Sequence, residues 1–334
     1  MMKKPQLSVI IPIHNAAPYL HRALKSIVNQ TFKDFEVLLI NDESTDESVE
    51  IASEYLKYPF IKLINTNRGG VSRARNIGIK NATGEWVTFM DADDWIETSF
   101  YESYFNEIKK NEETCDIIFS GYIRELSSGN YKKISLSPSY VHDNLSITIE
   151  YLYKVEAFGW AWNKLFKRSI IELNQIYFEP TIQLREDELF TLKYCKHVNS
   201  IQIISASLYH YMMNNNSLVH KKRNYIDYQR VSDQLYKEYY RYFDNKRFQE
   251  KYKIDYASGI FYSLTTIYTG ETPASKEQRL AFIKKFIKAR KQLAYPYKIR
   301  YRANKYKNLI FKCIFLCDNI CIIDSVLKLL IRFF

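Results

Sequence analysis

L-S-V-I-I-P-I, residues 7–13, is an apolar, β-branched run interrupted only by Ser8. A strand of that composition is stable when covered on both faces, as in a parallel sheet between helices. Working outward, residues 16–30 place Leu20, Leu24, Ile27 and Val28 on one helical stripe. F-E-V-L-L-I at 35–40 predicts a second buried strand, 48–56 a helix, 61–64 a short strand and 72–80 a helix. E-W-V-T-F-M at 85–90 predicts a fourth strand, which ends at Asp91. Repeated β-α units of this length predict an α/β, Rossmann-like, mostly parallel sheet, with ligands beyond the carboxyl ends of its strands. Weaker strand signals follow near 116–123 and 201–209. From Tyr225 onward Gly and Pro become scarce and Lys, Tyr and Leu recur at helical intervals. The expected division is therefore a catalytic-type domain over 1–220 and a helical appendage over 221–334.

Composition narrows the class. The 334 residues are 46% hydrophobic, with 28 Tyr and 20 Phe, which argues for a packed globule and against disorder. The net charge of +11 is not spread evenly: eleven basic and no acidic residues lie between Lys284 and Lys312, so the rest of the chain is neutral. That distribution argues against a protein that coats nucleic acid. Five scattered cysteines form no disulfide framework, and no signal-peptide pattern precedes the first strand, so a cytoplasmic location is expected.

Polar motifs cluster at the strand ends. Asp91-Ala92-Asp93-Asp94 puts three carboxylates in four residues, tolerable beside a bound Mg²⁺ or Mn²⁺ or in a solvated loop with Asp94 capping the next helix. After the first strand, Pro12 sits where its missing N–H costs least, and Asn15 either caps a helix or meets a base edge. In Asn41-Asp42-Glu43-Ser44-Thr45-Asp46, Asp46 suits a helix cap and Asp42 is free to accept from an imide or amine. Asn67-Arg68-Gly69-Gly70 leads into the helix carrying Arg75. It matches neither the G-x-G-x-x-G fingerprint nor the G-x-x-x-x-G-K-[ST] loop, which disfavours NAD and P-loop chemistry.

Four blocks in order, I-P-I-H-N, N-D-E-S-T-D-E-S, N-R-G-G-V-S-R-A-R-N-I-G-I and D-A-D-D-W, resemble the N-terminal half of family-2 glycosyltransferases, inverting nucleotide-sugar enzymes with a GT-A fold. The resemblance is strong over 7–95 and weaker to about 220. It implies that Pro12, Asn15 and Asp42 line the base and ribose pocket, with Asp42 facing the imide of uracil. It further implies that Asn67 and Arg75 reach the nucleotide, Asp91 holds the ribose, and Asp93 coordinates the divalent metal. Glu43 stands where the family usually has Gly, and His14 where it often has Tyr. Arg185-Glu186-Asp187-Glu188-Leu189-Phe190 resembles the E-D-x-x-F pattern and implies Asp187 as catalytic base; Glu186 and Glu188 are expected to raise its pKa. Gly159-Trp160-Ala161-Trp162-Asn163-Lys164 resembles the W-x-K segment. Its tryptophans would stack on an acceptor sugar or belong to the core, and Lys164 would touch an acceptor phosphate. Tyr209-His210-Tyr211 resembles the closing segment, with His210 a metal ligand or a structural histidine.

The apolar end, 309–334, is interrupted by Lys312, Asp318, Asp324, Lys328 and Arg332, too often for a transmembrane helix. With Asp318, Ser325, Lys328 and Arg332 on one arc, and Cys313, Cys317 and Cys321 on an apolar stripe, it suits either a helix at an anionic membrane surface or one packed on protein. The expected activity is transfer of a sugar from a nucleotide diphosphate, UDP foremost, to a lipid-linked or growing surface glycan at the inner face of the cell membrane. The alternatives are a nucleotidyltransferase on a similar sheet and a non-catalytic, membrane-attached assembly protein.

Overall fold

The computed structural model describes residues 4–110, 115–126, 128–143, 145–182, 184–213, 225–242, 256, 263–264, 267–268, 274–292, 314 and 316–331. The chain forms two compact units, dividing after Ser217, three residues before the expected boundary.

The N-terminal unit is built on a mixed sheet. Strands β1 (Leu7–Ile13), β2 (Phe35–Asp42), β3 (Ile61–Thr66) and β4 (Trp86–Phe89) are parallel in the order β3-β2-β1-β4. They alternate with helices α1 (Ala17–Val28), α2 (Ser48–Glu54) and α3 (Val71–Asn81). Every residue of β2 is buried and β1 exposes part of Pro12 alone, as expected of strands covered on both faces. The register pairs β4 with β1 only as far as Phe89 opposite Ile10, whereas β1 and β2 run on to Ile13 and Asn41. The chain after β4 therefore leaves the sheet beside strands that continue, which opens a crevice at their carboxyl ends.

β5 (Trp95–Ile96) and α4 (Phe100–Lys110) precede the two regions where single strands were expected, and each of those divides between two sheets. The first becomes β6 (Ile117–Phe119) and β7 (Tyr122–Glu125). β8 (Tyr131–Ile134), β9 (Ser139–Val141), α5 (Leu145–Lys154), β10 (Lys164–Lys167), α6 (Arg168–Leu173) and α7 (Glu186–Cys195) intervene. The second region becomes β11 (Ile201–Ile203) and β12 (Tyr209–Met212). The main sheet continues β4-β10-β6-β11-β9, and a small sheet runs β5-β12-β7-β8. The chain changes sheets at Ser120-Gly121, where a Cβ on residue 121 would collide with the carbonyl of Ile134. Only glycine allows that approach. α7 is fixed by aromatic packing: Phe190 stacks on Phe178 at 4.1 Å and meets Phe89 of β4 and Phe166 of β10 edge-on.

In the C-terminal unit, the described helices are Tyr225–Tyr242, Lys276–Gln292 and Ile320–Ile331. Ile323 and Leu327 pack with Phe282, Ile283 and Phe286 in a core of their own. The polar arc expected for the last helix differs from the structure. Asn319 accepts the N–H groups of Cys321 and Ile322, so the helix starts at 320 and leaves Asp318 and Cys317 outside it. Asp324 is buried against Arg279, Tyr268 and Lys328. Cys313, Arg332 and the basic segment beyond Gln292 lie outside the described residues.

Candidate active site

The expected site residues of the first four strands stand at one end of the sheet. Past β1, Asn15 adopts a left-handed backbone (φ 51°), and its side-chain oxygen accepts from Thr45 N–H at 2.8 Å. Asn15 thus ties the two loops together and does not cap α1. That service comes from the other loop: Asp46 accepts from Ala17 N–H with one oxygen and from Ser48 N–H with the other. A single carboxylate thereby serves the starts of α1 and α2, where helix dipoles favour negative charge, and its pKa is lowered because these hydrogen bonds outweigh its partial burial. Asn67 is exposed just beyond β3.

Asp42, the last residue of β2, does not stand free. Its oxygens accept from Gly69 N–H at 2.7 Å and Gly70 N–H at 2.9 Å, and Arg68 pairs with it at 3.2 Å. Gly70 at φ 82° turns that backbone inward, a conformation costly to any L side chain. Asp42 is thus the organiser of the glycine turn, because two small residues leave their N–H groups open to it. Glu43, in the position usually held by Gly, also adopts a left-handed backbone (φ 56°) and accepts from Arg68 N–H at 3.0 Å. This bond offsets part of a conformational cost of about 1 kcal/mol.

Arg75 is the centre of the site. α3 buries its side chain to 3% exposure, over the ring of Phe178. Its guanidinium binds Asp91 at 2.9 Å, Glu186 at 3.2 Å and Asp187 at 2.5 Å. One cation thus joins the D-A-D-D turn to the start of α7. Burial pushes the Asp187 carboxyl up to about 7, with Glu186 and Asp91 adding to the rise while Arg75 and the Ala161 N–H oppose it. The expected contribution of Glu188 is absent: Glu188 is turned away and held by both forks of Arg185. Arg185 itself sits at φ 55° before the helix.

Within the D-A-D-D turn the three carboxylates separate. Asp94 is fully buried and accepts from Tyr209 O–H at 2.6 Å and Met212 N–H at 2.8 Å, so it anchors the turn to β12 instead of capping a helix. Burial, then the charges of Asp93 and Asp91, hold its pKa well above the usual carboxylate range. Asp91 and Asp93 remain partly exposed.

His210 differs from the metal-ligand expectation. Its ring stacks on Trp95 at 3.5 Å, and its nitrogens meet Glu125 at 2.6 Å and Glu97 at 3.3 Å, so both are engaged. Among the described residues no group of three or more His, Cys, Asp or Glu is arranged to hold a metal. Lys164 also differs. It is fully buried and donates to the carbonyl of Trp160 and to Asn163 Oδ1, out of reach of an acceptor phosphate. Trp162 is core, stacked on Tyr209 at 4.3 Å; Trp160 is partly exposed and lies beside Tyr211. The roles of Asp94 and Tyr209 were missed because each depends on a partner more than a hundred residues away, and that of Arg185 because a left-handed residue before the helix turns it back onto Glu188.

Comparison with known proteins identifies the family and the fold. Residues 8–173 match the model of Glycosyl transferase family 2. The poly(ribitol-phosphate) β-N-acetylglucosaminyltransferase TarP of Staphylococcus aureus (strain N315) is 30% identical over 253 residues, which are 72% of this chain and 73% of TarP. EpsH of Bacillus subtilis (strain 168), a glycosyltransferase by description, is 30% identical over 224 residues; the match takes in 66% of this chain and 64% of EpsH. Among solved structures, S. aureus TarS 1-349 in complex with UDP-GlcNAc superposes with a TM-score of 0.69 at 22% identity, over 97% of this chain and 90% of that one. The fold is the GT-A fold expected above.

Proposed function

The chain belongs to glycosyltransferase family 2, and from that premise we propose that it transfers a hexosyl or N-acetylhexosaminyl group from a UDP-sugar to a surface glycan. The observation that carries this reading is Arg75, one buried cation that spans the donor-side Asp91 and the carboxylate Asp187. The alternatives of a nucleotidyltransferase and a non-catalytic assembly protein require neither carboxylate in that relation. TarP, a similar protein, bears the description of a poly(ribitol-phosphate) transferase, which supports a cell-wall or lipid-linked polymer as acceptor.

In this reading the acceptor hydroxyl loses its proton to an oxygen of Asp187 as its own oxygen attacks the anomeric carbon in line. The bond from that carbon to the diphosphate breaks on the opposite face, and the electron pair leaves with the nucleotide. Asp187, raised to about 7, is well matched to take a proton near neutral pH. Asn15, Asp42 and Asn67 shape the nucleotide end, and partly exposed Trp160 and Tyr211 offer aromatic faces to a sugar.

A divalent metal fits the donor set, since Mg²⁺ and Mn²⁺ take one or two carboxylates together with substrate phosphates. Asp93 would hold it, with Asp91 beside it. When bound, the metal would neutralise charge on the departing diphosphate. UDP with Mn²⁺ is expected to raise the melting temperature of the wild type by several degrees, about 2.7 kcal/mol at a hundredfold excess over Kd. Asp93→Ala should abolish that shift; an equal shift in the variant would remove Asp93 from the site.

We further propose attachment to an anionic membrane at its cytoplasmic face. No helix among the described residues is long and apolar enough to cross a membrane. The support is an exposed apolar set, Leu316, Ile322 and Leu329, near a basic segment in sequence. Lys285 is committed to Asp233 at 2.6 Å, so the lipid-facing charge must come from other residues of that segment. Co-sedimentation with phosphatidylglycerol vesicles is expected to weaken about 10- to 100-fold in Ile322→Glu/Leu329→Glu. Equal binding by variant and wild type would end the membrane proposal.

A further inference from the structure

We propose that Lys164 is a positioning residue for the base, acting through the Trp160–Ala161 peptide unit, an inference that rests on the reading of Asp187 as base. Lys164 begins β10 and is pinned there: its carbonyl accepts from Thr88 Oγ1 at 2.8 Å, and its register partner is Phe119 of β6. Its side chain turns back into the preceding loop. The ammonium donates to the Trp160 carbonyl, to Asn163 Oδ1 at 2.6 Å and to the Ala157 carbonyl at 3.5 Å, and lies 4.8 Å from the centre of the Phe119 ring. Asn163 is itself held by the carbonyls of Ser120 and Ala157 at 3.0 and 2.9 Å. None of these acceptors is a carboxylate.

The Trp160 carbonyl and the Ala161 N–H belong to one peptide unit, and no peptide bond among the described residues is cis. The two groups therefore point in opposite directions. On the far side, the Ala161 N–H faces Asp187 Oδ2 at 3.4 Å. The order is ammonium, carbonyl, N–H, carboxylate. The peptide dipole is aligned between a cation and an anion, each stabilising its orientation. Arg75 holds Oδ1 of the same carboxylate, so the two oxygens are fixed from opposite partners. Without the lysine, the Trp160 carbonyl loses its charged donor and the peptide loses the constraint that aims its N–H.

The charged and titratable groups that face Asp187 are Arg75 from α3, Asp91 from the turn after β4, Glu186 on its own helix and Lys164 from β10. Those that act on Lys164 are Cys195 of α7 and Asp187. Burial pushes Lys164 down to about 7, while Cys195 and Asp187 oppose the fall; both its charged and its neutral forms retain an N–H for the Trp160 carbonyl. Loss of this chain of dipoles removes stabilisation from the ionised base, so the midpoint of Asp187 must rise.

The test is a carbon-13 titration of the full chain labelled at aspartate, with Asp187 assigned by difference against Asp187→Asn. Lys164→Met is expected to move the Asp187 midpoint up by about one pH unit, with the acidic limb of kcat moving alongside it and UDP affinity unchanged. Lys164→Gln keeps a donor but no charge and is expected to shift less; it also serves if the methionine variant fails to fold. A midpoint unchanged in either folded variant overturns the proposal. Turnover retained by Asp187→Asn would instead overturn the base assignment on which it rests, an outcome read independently of the titration.

Discussion

Replacing Asp187 with asparagine is expected to lower kcat by about 10²- to 10⁴-fold while leaving UDP binding intact, because it removes the proton acceptor and little else. Asparagine has the same shape, and its side-chain oxygen can still accept from Arg75 or from the Ala161 N–H. The pH profile supplies a second readout. A carboxyl pushed up to about 7 is protonated and idle below that pH and active above it, so wild-type kcat should climb through the neutral range. In the variant that limb should vanish and the residual rate should be flat there. A variant that turns over like the wild type, or keeps the same limb, would remove Asp187 from the base role. Calorimetric titration with UDP separates loss of chemistry from loss of the donor site.

The second large effect concerns stability. Arg75→Met should cost about 3–5 kcal/mol, because it leaves Asp91, Glu186 and Asp187 crowded in a half-buried site with no counter-charge. For a unit of this size that corresponds to a fall in Tm of roughly 6–20 °C. The deficit also depends on pH in a definite direction. Deprotonated carboxylates repel and protonated ones do not, so the variant should lie closest to wild type near pH 5 and furthest from it near pH 8. A variant whose deficit is small and constant with pH would mean that the three acids do not depend on Arg75. Activity should fall with stability, since the guanidinium also holds one oxygen of Asp187, the proposed base.

Much of the fold was legible because its signals are local. The apolar runs at 7–13 and 35–40 could only be buried strands, and the structure places β1 at the expected residues and β2 two residues longer. The regions near 116–123 and 201–209 were read as single strands because periodicity does not register a change of sheet. That change depends on Gly121 meeting the carbonyl of Ile134, a contact made only after folding. Within the site, the family resemblance pointed to Arg75, Asp91 and Asp187 separately, but not to the single guanidinium that joins them. Charge alone misled at Lys164, whose apolar neighbours Leu165 and Phe166 lie in a buried strand that takes the lysine inside with them. For His210 the choice between metal ligand and structural histidine stayed open in the sequence because its partners Glu97 and Glu125 lie 113 and 85 residues away.

The bond from Arg75 to Asp187 spans 112 residues, and Asn76 reaches Phe178 across 102. Loop closure of that length is slow and contributes nothing until late, so the first four strands must collapse before their most buried cation has any counter-charge from α7. A chain ending at residue 173 would have the whole nucleotide-side sheet and still carry an arginine with Asp91 as its sole anionic partner from this cluster. The carboxylate proposed as base is therefore expected to be a late folding contact as well. In that reading one side chain, Asp187, serves both the chemistry and the completion of the N-terminal unit.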